Sequence, residues 1–268
     1  MKILTGRQQR PRRVLLYGQE GVGKSTWAAG APSPIFLDCE GGLADIACDK
    51  SPRLRTLEDV RGALRWLWEQ PHDYRSVVMD TVDWVERMIH ADICKADGVK
   101  SIEKAAGGFG KGYLAAATEF EKLLANMEAL ANKRGMNLIL LGHCSPTKVL
   151  DPEAETYEQW SPDLHKAASS VLREWCDEVL FASYRTFYKR LGDEKKTNTR
   201  TLAVGDDERY IRTRHSAAVQ AKNRLNLPEE LPMVWAEYQK HWPGGGVAAS
   251  SVQAARVEPI IEGTVSNE

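Results

Sequence analysis

The chain has 268 residues, 43% hydrophobic and 27% charged, enough to bury one sizeable core with the composition of a soluble globular protein. No apolar run reaches membrane-span length, and the N-terminus lacks a signal-peptide core. The five scattered cysteines form no C-x-x-C pair, which argues for reduced thiols in a cytoplasm and against a zinc site or disulfide frame. The formal net charge of −1 excludes a uniformly basic nucleic-acid binder, yet residues 1–13 carry five basic side chains and no acid, and residues 185–224 carry eleven Lys/Arg against five Asp/Glu. Segregated charge of this kind suits a surface for polyanions, although a charge run is more often a solvated face.

In chain order, a basic arm over 1–13 precedes a core expected over 14–242. Val14–Tyr17 reads as a buried strand, followed by Gly18-x-x-x-x-Gly23-Lys24-Ser25 and a helix start at Thr26. Residues 33–38 read as a second strand. Thr56-Leu57-Glu58-Asp59 has the spacing of a capping box, and Leu57, Val60, Leu64, Leu67 and Trp68 recur at helical spacing. Val77–Asp80 is the next strand, with Trp84, Val85, Met88, Ile89 and Ile93 on one face of the helix after it and Gly98 as its stop. A glycine-rich loop at 107–112 leads to a helix from about Leu114 to Arg134, then an apolar strand over 138–141. Residues 144–163 read as a polar loop and 164–176 as a helix, followed by a short strand over 179–181. Thr199–Val204 and Arg209–Arg214 are expected to pair as a hairpin hinged at Gly205-Asp206-Asp207. The glycine-rich stretch after Pro243 reads as a disordered tail over 243–268. Alternation of strand and helix predicts an α/β fold, a mainly parallel sheet flanked by helices, with a C-terminal β-hairpin region.

The residue types between 18 and 26 specify phosphate chemistry. Gly18, Gly21 and Gly23 let backbone N–H groups close on phosphate oxygens, with Thr26 continuing the cradle into the helix. Lys24 brings a mobile cation to the β- and γ-phosphates, and the Ser25 hydroxyl is a Mg²⁺ ligand. ATP and Mg²⁺ are the expected cofactors. Asp80, closing an apolar strand, is the second Mg²⁺-organising acid, whereas Asp83 is read as a cap of the following helix. Glu40, leaving the strand expected beside the phosphate-loop strand, is a candidate to orient the attacking water, against the alternative of a surface turn.

The order GxxxxGKS, FLDCEGG, VVMDTVD, LILLGH resembles the RecA-type P-loop NTPase core. That resemblance implies that the acid after the second strand activates water and that His143 senses the γ-phosphate; a lone His after a strand is more often structural. Ala221-Lys222-Asn223-Arg224 is similar to the Lys-Asn-Arg motif of the RadA/Sms branch-migration proteins and, more loosely, to the Lys-x-Arg fingers of hexameric helicases. It implies that Lys222 and Arg224 reach the nucleotide of a neighbouring subunit, in a homo-oligomeric ring or filament. Here Leu225-Asn226 follows where that family has Phe-Gly, and the zinc finger and protease-like domain of full RadA have no counterpart. Over residues 12–240 the chain is most similar to the RecA-core (Sak-type) phage single-strand annealing proteins and phage nucleotide-binding proteins. That implies a DNA-stimulated ATPase of phage recombination in the host cytoplasm, with single-stranded DNA as partner.

By position in such a core, two loops would hold DNA. The first, 98–113, supplies Lys100, Lys104 and Lys111 for phosphates and Phe109 and Tyr113 for bases, against the alternative that its aromatics pack inward. The second, within 144–163, offers Lys148, Tyr157 and Trp160 among the repelling acids Asp151, Glu153, Glu155 and Glu158. The tail is a candidate contact for a single-strand-binding protein. Two other readings stay open, a P-loop kinase for a small substrate and a non-catalytic, ATP-switched adaptor.

Overall fold

The computed structural model describes residues 3, 5–6, 10–151, 155–191 and 200–242, with the side chains of 186–206 left aside. Lys2 and Arg7, residues 192–199 and the tail expected at 243–268 lie outside the described residues.

The chain runs β1 (Arg13–Gly18), α1 (Lys24–Ala28), β2 (Pro34–Asp38), β3 (Asp49–Lys50), α2 (Leu57–Glu69), β4 (Ser76–Asp80) and α3 (Val82–Ala96). It continues through 3₁₀ turns over Ile102–Gly107 to α4 (Lys111–Arg134), β5 (Asn137–Gly142), β6 (Cys144–Val149), β7 (Tyr157–Pro162) and α5 (Lys166–Trp175). It closes with β8 (Glu178–Leu191), β9 (Arg200–Arg212), β10 (Glu230–Pro232) and α6 (Trp235–Gln239). Eight strands make one sheet in the order β10-β9-β8-β1-β5-β4-β2-β3; β6 and β7 pair separately. From β8 to β3 the neighbours are parallel, and β9 and β10 add antiparallel strands.

The parallel strands are apolar throughout because both of their faces are covered. Leu15 and Tyr17 of β1, Val77 and Met79 of β4, and Leu138 and Leu140 of β5 point into the core beneath α2, α3, α4 and α5. Their alternates Val14, Leu16, Val78, Ile139 and Leu141 join Trp27 of α1 and Trp235 and Tyr238 of α6 on the other face. The capping box forms as expected: Thr56 Oγ1 accepts from Asp59 N at 3.1 Å, and Asp59 accepts from Thr56 N at 2.9 Å. Trp68 leaves the expected stripe and is 36% exposed.

Three other expectations are corrected. The two arms expected to form a hairpin are one strand, β9, whose antiparallel partner is β8. Pairing steps from Tyr184↔Arg209 to Thr186↔Gly205, so residues 206–208 face Arg185 alone and the Gly-Asp-Asp turn signal is absorbed in a bulge. The polar loop at 144–163 contains the β6–β7 ribbon. Finally β2 is not beside β1: it pairs with β4, and β4 and β5 separate it from the phosphate-loop strand.

At the amino ends of β1 and β8, the described basic residues Arg10, Arg12 and Arg13 are neutralised. Asp177, whose side chain is fully buried, pairs with Arg10, with Arg13 at 3.4 Å and with Arg224 at 3.2 Å; Arg12 pairs with Glu178. Burial pushes the Asp177 carboxyl up, but Arg13, Arg10 and Arg12 outweigh it and hold it below the ordinary range. Removing the acid leaves clustered guanidinium groups without their counter-charge. Asp177→Ala is therefore expected to destabilise the fold by about 3–5 kcal/mol in urea unfolding; a loss below about 1 kcal/mol, the size of a surface pair, would contradict this.

Candidate nucleotide site

The polar ends of the strands emerge along the carboxyl edge of the sheet, where open α/β sheets bind ligands. The loop after β1 closes tightly there. A Cβ on Gly18 would stand 2.3 Å from the Ala182 carbonyl oxygen of β8, so the close strand approach requires glycine. Gly21 and Gly23 take φ +71° and +97°, the left-handed region that the cradle needs. Helix α1 has only five residues, so the cradle rests on loop N–H groups rather than on a long helix dipole. Thr26 is exposed on its first turn.

Lys24 is buried and donates to the carbonyl oxygens of Gly18 at 3.1 Å and Gln19 at 2.9 Å. Burial lowers its pKa, with Asp80 opposing. The Ser25 hydroxyl donates to Asp80 Oδ2 at 2.6 Å. Burial pushes the Asp80 carboxyl up to about 6, and the Ser25 hydroxyl opposes the rise. A hydroxyl and a carboxylate held together beside a lysine are a donor set that fits hydrated Mg²⁺ and a nucleotide phosphate chain.

Glu40 reaches this edge by a different route from the expected one. The Asp80 carbonyl accepts from Cys39 N at 2.8 Å and Glu40 N at 3.1 Å, which ties the turn after β2 to the end of β4. Glu40 Oε1 stands 3.8 Å from His143 Nε2. On its other side, His143 donates from Nδ1 to Asp83 Oδ2 at 3.0 Å and from its backbone N to Asp83 Oδ1 at 3.1 Å. The bond to Asp83 raises the His143 pKa against the effect of burial. Asp83 is therefore not a helix cap; Thr81 occupies the N-cap of α3 and makes no side-chain cap bond. Burial pushes Asp83 up, but His143 outweighs it and holds the carboxyl below its ordinary range.

Two further side chains escaped the sequence reading. Tyr184 of β8 donates its hydroxyl to the Gly21 carbonyl at 3.0 Å, and Arg209 of β9 lies over the Tyr184 ring at 5.6 Å. A Cβ on Gly23 would meet the Arg209 guanidinium at 2.9 Å, so this cation rests on the phosphate loop. The basic excess of 185–224 hinted at a cation here, but only the β8–β9 pairing selects Arg209.

The remaining residues of the sequence reading are dispersed. Lys222 sits beside Val179 at the amino end of β8, and its amine donates to the carbonyls of Arg173 at 2.8 Å and Glu174 at 3.2 Å, closing the last turn of α5. Gly18 is opposite Ala182, so Lys222 and Arg224 lie about 10 Å of strand away from the chain's own phosphate loop. Lys100, Lys104, Lys111 and Phe109 are exposed, Phe109 at 99%. Helix α4 starts at Lys111, so Lys111 and Tyr113 lie in its first turn rather than in a loop. Tyr113 stacks on His165 at 4.0 Å and meets His90 edge-on at 5.6 Å. Trp160 of β7 packs on Phe181 and against the core, while Lys148 is exposed and Tyr157 half-buried. All five cysteines are free, the described residues hold no metal-binding cluster, and none of their helices is long and apolar enough to cross a membrane.

A family model for the AAA domain matches residues 10–225. No curated protein matches the chain.

Helix α3 uses a second acid in the same way as Asp83. Buried Glu86 accepts from His165 N with both oxygens, at 3.1 and 3.0 Å, so two carboxylates of one helix hold the two ends of the β6–β7 ribbon. Burial pushes the Glu86 carboxyl up to about 7 from an ordinary 4.5. Between those values the folded chain keeps the proton and the unfolded chain loses it, so stability falls as pH rises through the window. Glu86→Gln removes that penalty. Its stability relative to the parent should climb by on the order of 2 kcal/mol between about pH 5 and pH 8 in parallel thermal melts; a constant difference would contradict the assignment.

Proposed function

The chain belongs to the AAA domain family, and from that premise we propose that it is a Mg²⁺-dependent ATPase that binds single-stranded DNA and promotes strand annealing in phage recombination. The observation that carries the ATPase reading is the convergence of Lys24, Ser25, Asp80, Glu40 and His143, brought from the ends of β1, β2, β4 and β5 to one edge.

Bound Mg²⁺ supplies charge neutralisation along the phosphate chain. The protein's own groups do the rest. Loop N–H groups and Lys24 hold and orient the phosphates, Ser25 and Asp80 set the metal's place, and Glu40 accepts a proton from, or orients, the attacking water. His143, held by Asp83, stands 3.8 Å from Glu40 on its far side, and its role in this reading is to respond to the γ-phosphate.

The DNA reading rests on the exposed Lys100, Lys104, Lys111 and Phe109 and on the resemblance to RecA-core annealing proteins. Tyr113 takes the role of a support beneath that loop. In an assembled ring or filament, Arg224 is the residue for the neighbour's nucleotide: its side chain is 51% exposed and would exchange its 3.2 Å pairing with Asp177 for the phosphates, whereas Lys222 is engaged by two carbonyls. An arginine delivered in trans would couple turnover to assembly.

Glu40→Gln tests the core of this proposal. Phosphate release should fall by about 100-fold or more, with binding of a fluorescent ATP analogue retained. Unchanged release would remove Glu40 from the chemistry. Salt-sensitive binding of a labelled single-stranded oligonucleotide, strengthened by ATP, is the expected result for the DNA reading; absence of binding in either nucleotide state would return the chain to the adaptor and kinase alternatives.

A further inference from the structure

Two arginines that no part of the nucleotide chemistry uses share the Trp84 ring, and one of them, Arg53, stands beside the Glu40 turn. The segment 51–54 is laced onto the end of β2: Leu54 N donates to the Asp38 carbonyl at 2.7 Å, and Ser51 Oγ accepts from Asp38 N at 3.1 Å. This places the Arg53 guanidinium directly on Gly41, where a Cβ would approach its Cζ and Nε to 2.9 Å. Gly41 itself has φ +95° and donates its N–H to Asp38 at 2.6 Å, so the turn that carries Glu40 is fixed from both sides.

Arg53 also lies over the ring of Trp84, with Cζ 5.9 Å from the centroid, and Arg87 from the next turn of α3 lies over the same ring at 4.9 Å. Trp84 is half-buried and packs against the core, so it is a fixed plate rather than a mobile side chain. Both arginines are exposed, and among the described residues neither takes part in an ion pair. Arg10, Arg12, Arg13 and Arg224 at the sheet's amino end each face a carboxylate, whereas these two, like Arg209 on Tyr184, face an aromatic ring.

We propose that Arg53, Trp84 and Arg87 form a second contact for single-stranded nucleic acid, distinct from the 98–113 loop. The chemistry fits that ligand class. Two guanidinium groups gathered on one indole, at 5.9 and 4.9 Å from its centroid, suit backbone phosphates, and a guanidinium plane can also stack on a base. The position gives the contact a consequence. A strand seated here presses on the turn bearing Glu40 and on the first turns of α3, where Asp83 holds His143. Nucleic acid thereby reaches the hydrolytic groups without touching the phosphate loop. The inference rests on the DNA-binding reading above.

The test is fluorescence anisotropy of a labelled single-stranded oligonucleotide across a salt series, using the full chain with Mg²⁺ and a non-hydrolysable ATP analogue. Arg53→Gln/Arg87→Gln should weaken binding about tenfold or more and reduce the log–log salt slope by about 1.4, the value for two lost phosphate contacts on a single strand. Arg53→Lys/Arg87→Lys should restore the slope but not the full affinity, because charge returns without the stacking plane. Affinity for the nucleotide analogue, measured on the same samples, should stay within about twofold in all variants, since P-loop contacts are untouched. If the parent binds the oligonucleotide and the glutamine variant keeps its affinity and slope, the arginines only cover Trp84 and the proposal is overturned. If the parent binds no oligonucleotide, the DNA-binding reading falls and this inference falls with it.

Discussion

The short hydrogen bond from Ser25 to Asp80 joins two strands that do not touch. β1 and β4 are separated by β5, so the contact spans the sheet at its carboxyl edge. It requires β1, β5 and β4 to end level, which the parallel register provides: Tyr17 is opposite Gly142, and Leu141 is opposite Asp80. Everything else at the site is hung from these two residues. Asp80 anchors Glu40 through its carbonyl, and helix α3 begins directly after it, bringing Asp83 to His143 and Glu86 to His165. Burial is the cost of this arrangement: Asp80 is pushed up to about 6, which a bound cation would reverse.

Legibility in the sequence follows the range of the physics. The phosphate loop, the capping box at Thr56 and the buried strands are local patterns, set by residue type and spacing within ten residues, and they appear where the sequence places them. Glu40 reaches the site's edge by a route other than the one its sequence context suggests. Its strand is three places from β1, and a bond to the Asp80 carbonyl supplies the proximity that strand adjacency was expected to supply. Asp83 was misread because an acid in a first helical turn is good capping chemistry; only the return of the chain through β5 presents His143 to it. Arg209 and Tyr184 depend on a bulged antiparallel pairing, where Gly205-Asp206-Asp207 gave a turn signal that the long β8 partner overrode.

Charge shows the same division. Counting basic residues cannot separate a cation that binds a ligand from one that neutralises a buried acid. Arg10, Arg12, Arg13 and Arg224 came from the two most basic stretches, yet all four face Asp177 or Glu178. Arg53 and Arg87 come from unremarkable stretches and stand exposed on Trp84, Arg53 also against the Glu40 turn. A polyanion surface is decided by which cations lack a carboxylate after folding.

Asp80 acting with Ser25 is proposed to place a metal on a bound nucleotide. Calorimetric titration of a non-hydrolysable ATP analogue into the parent and Asp80→Asn, each with Mg²⁺ and with EDTA, addresses this directly. The asparagine keeps an acceptor for Ser25 and removes only the charge. Mg²⁺ should strengthen binding to the parent and give Asp80→Asn little or no gain over EDTA. Equal strengthening of both proteins by Mg²⁺ would contradict that role.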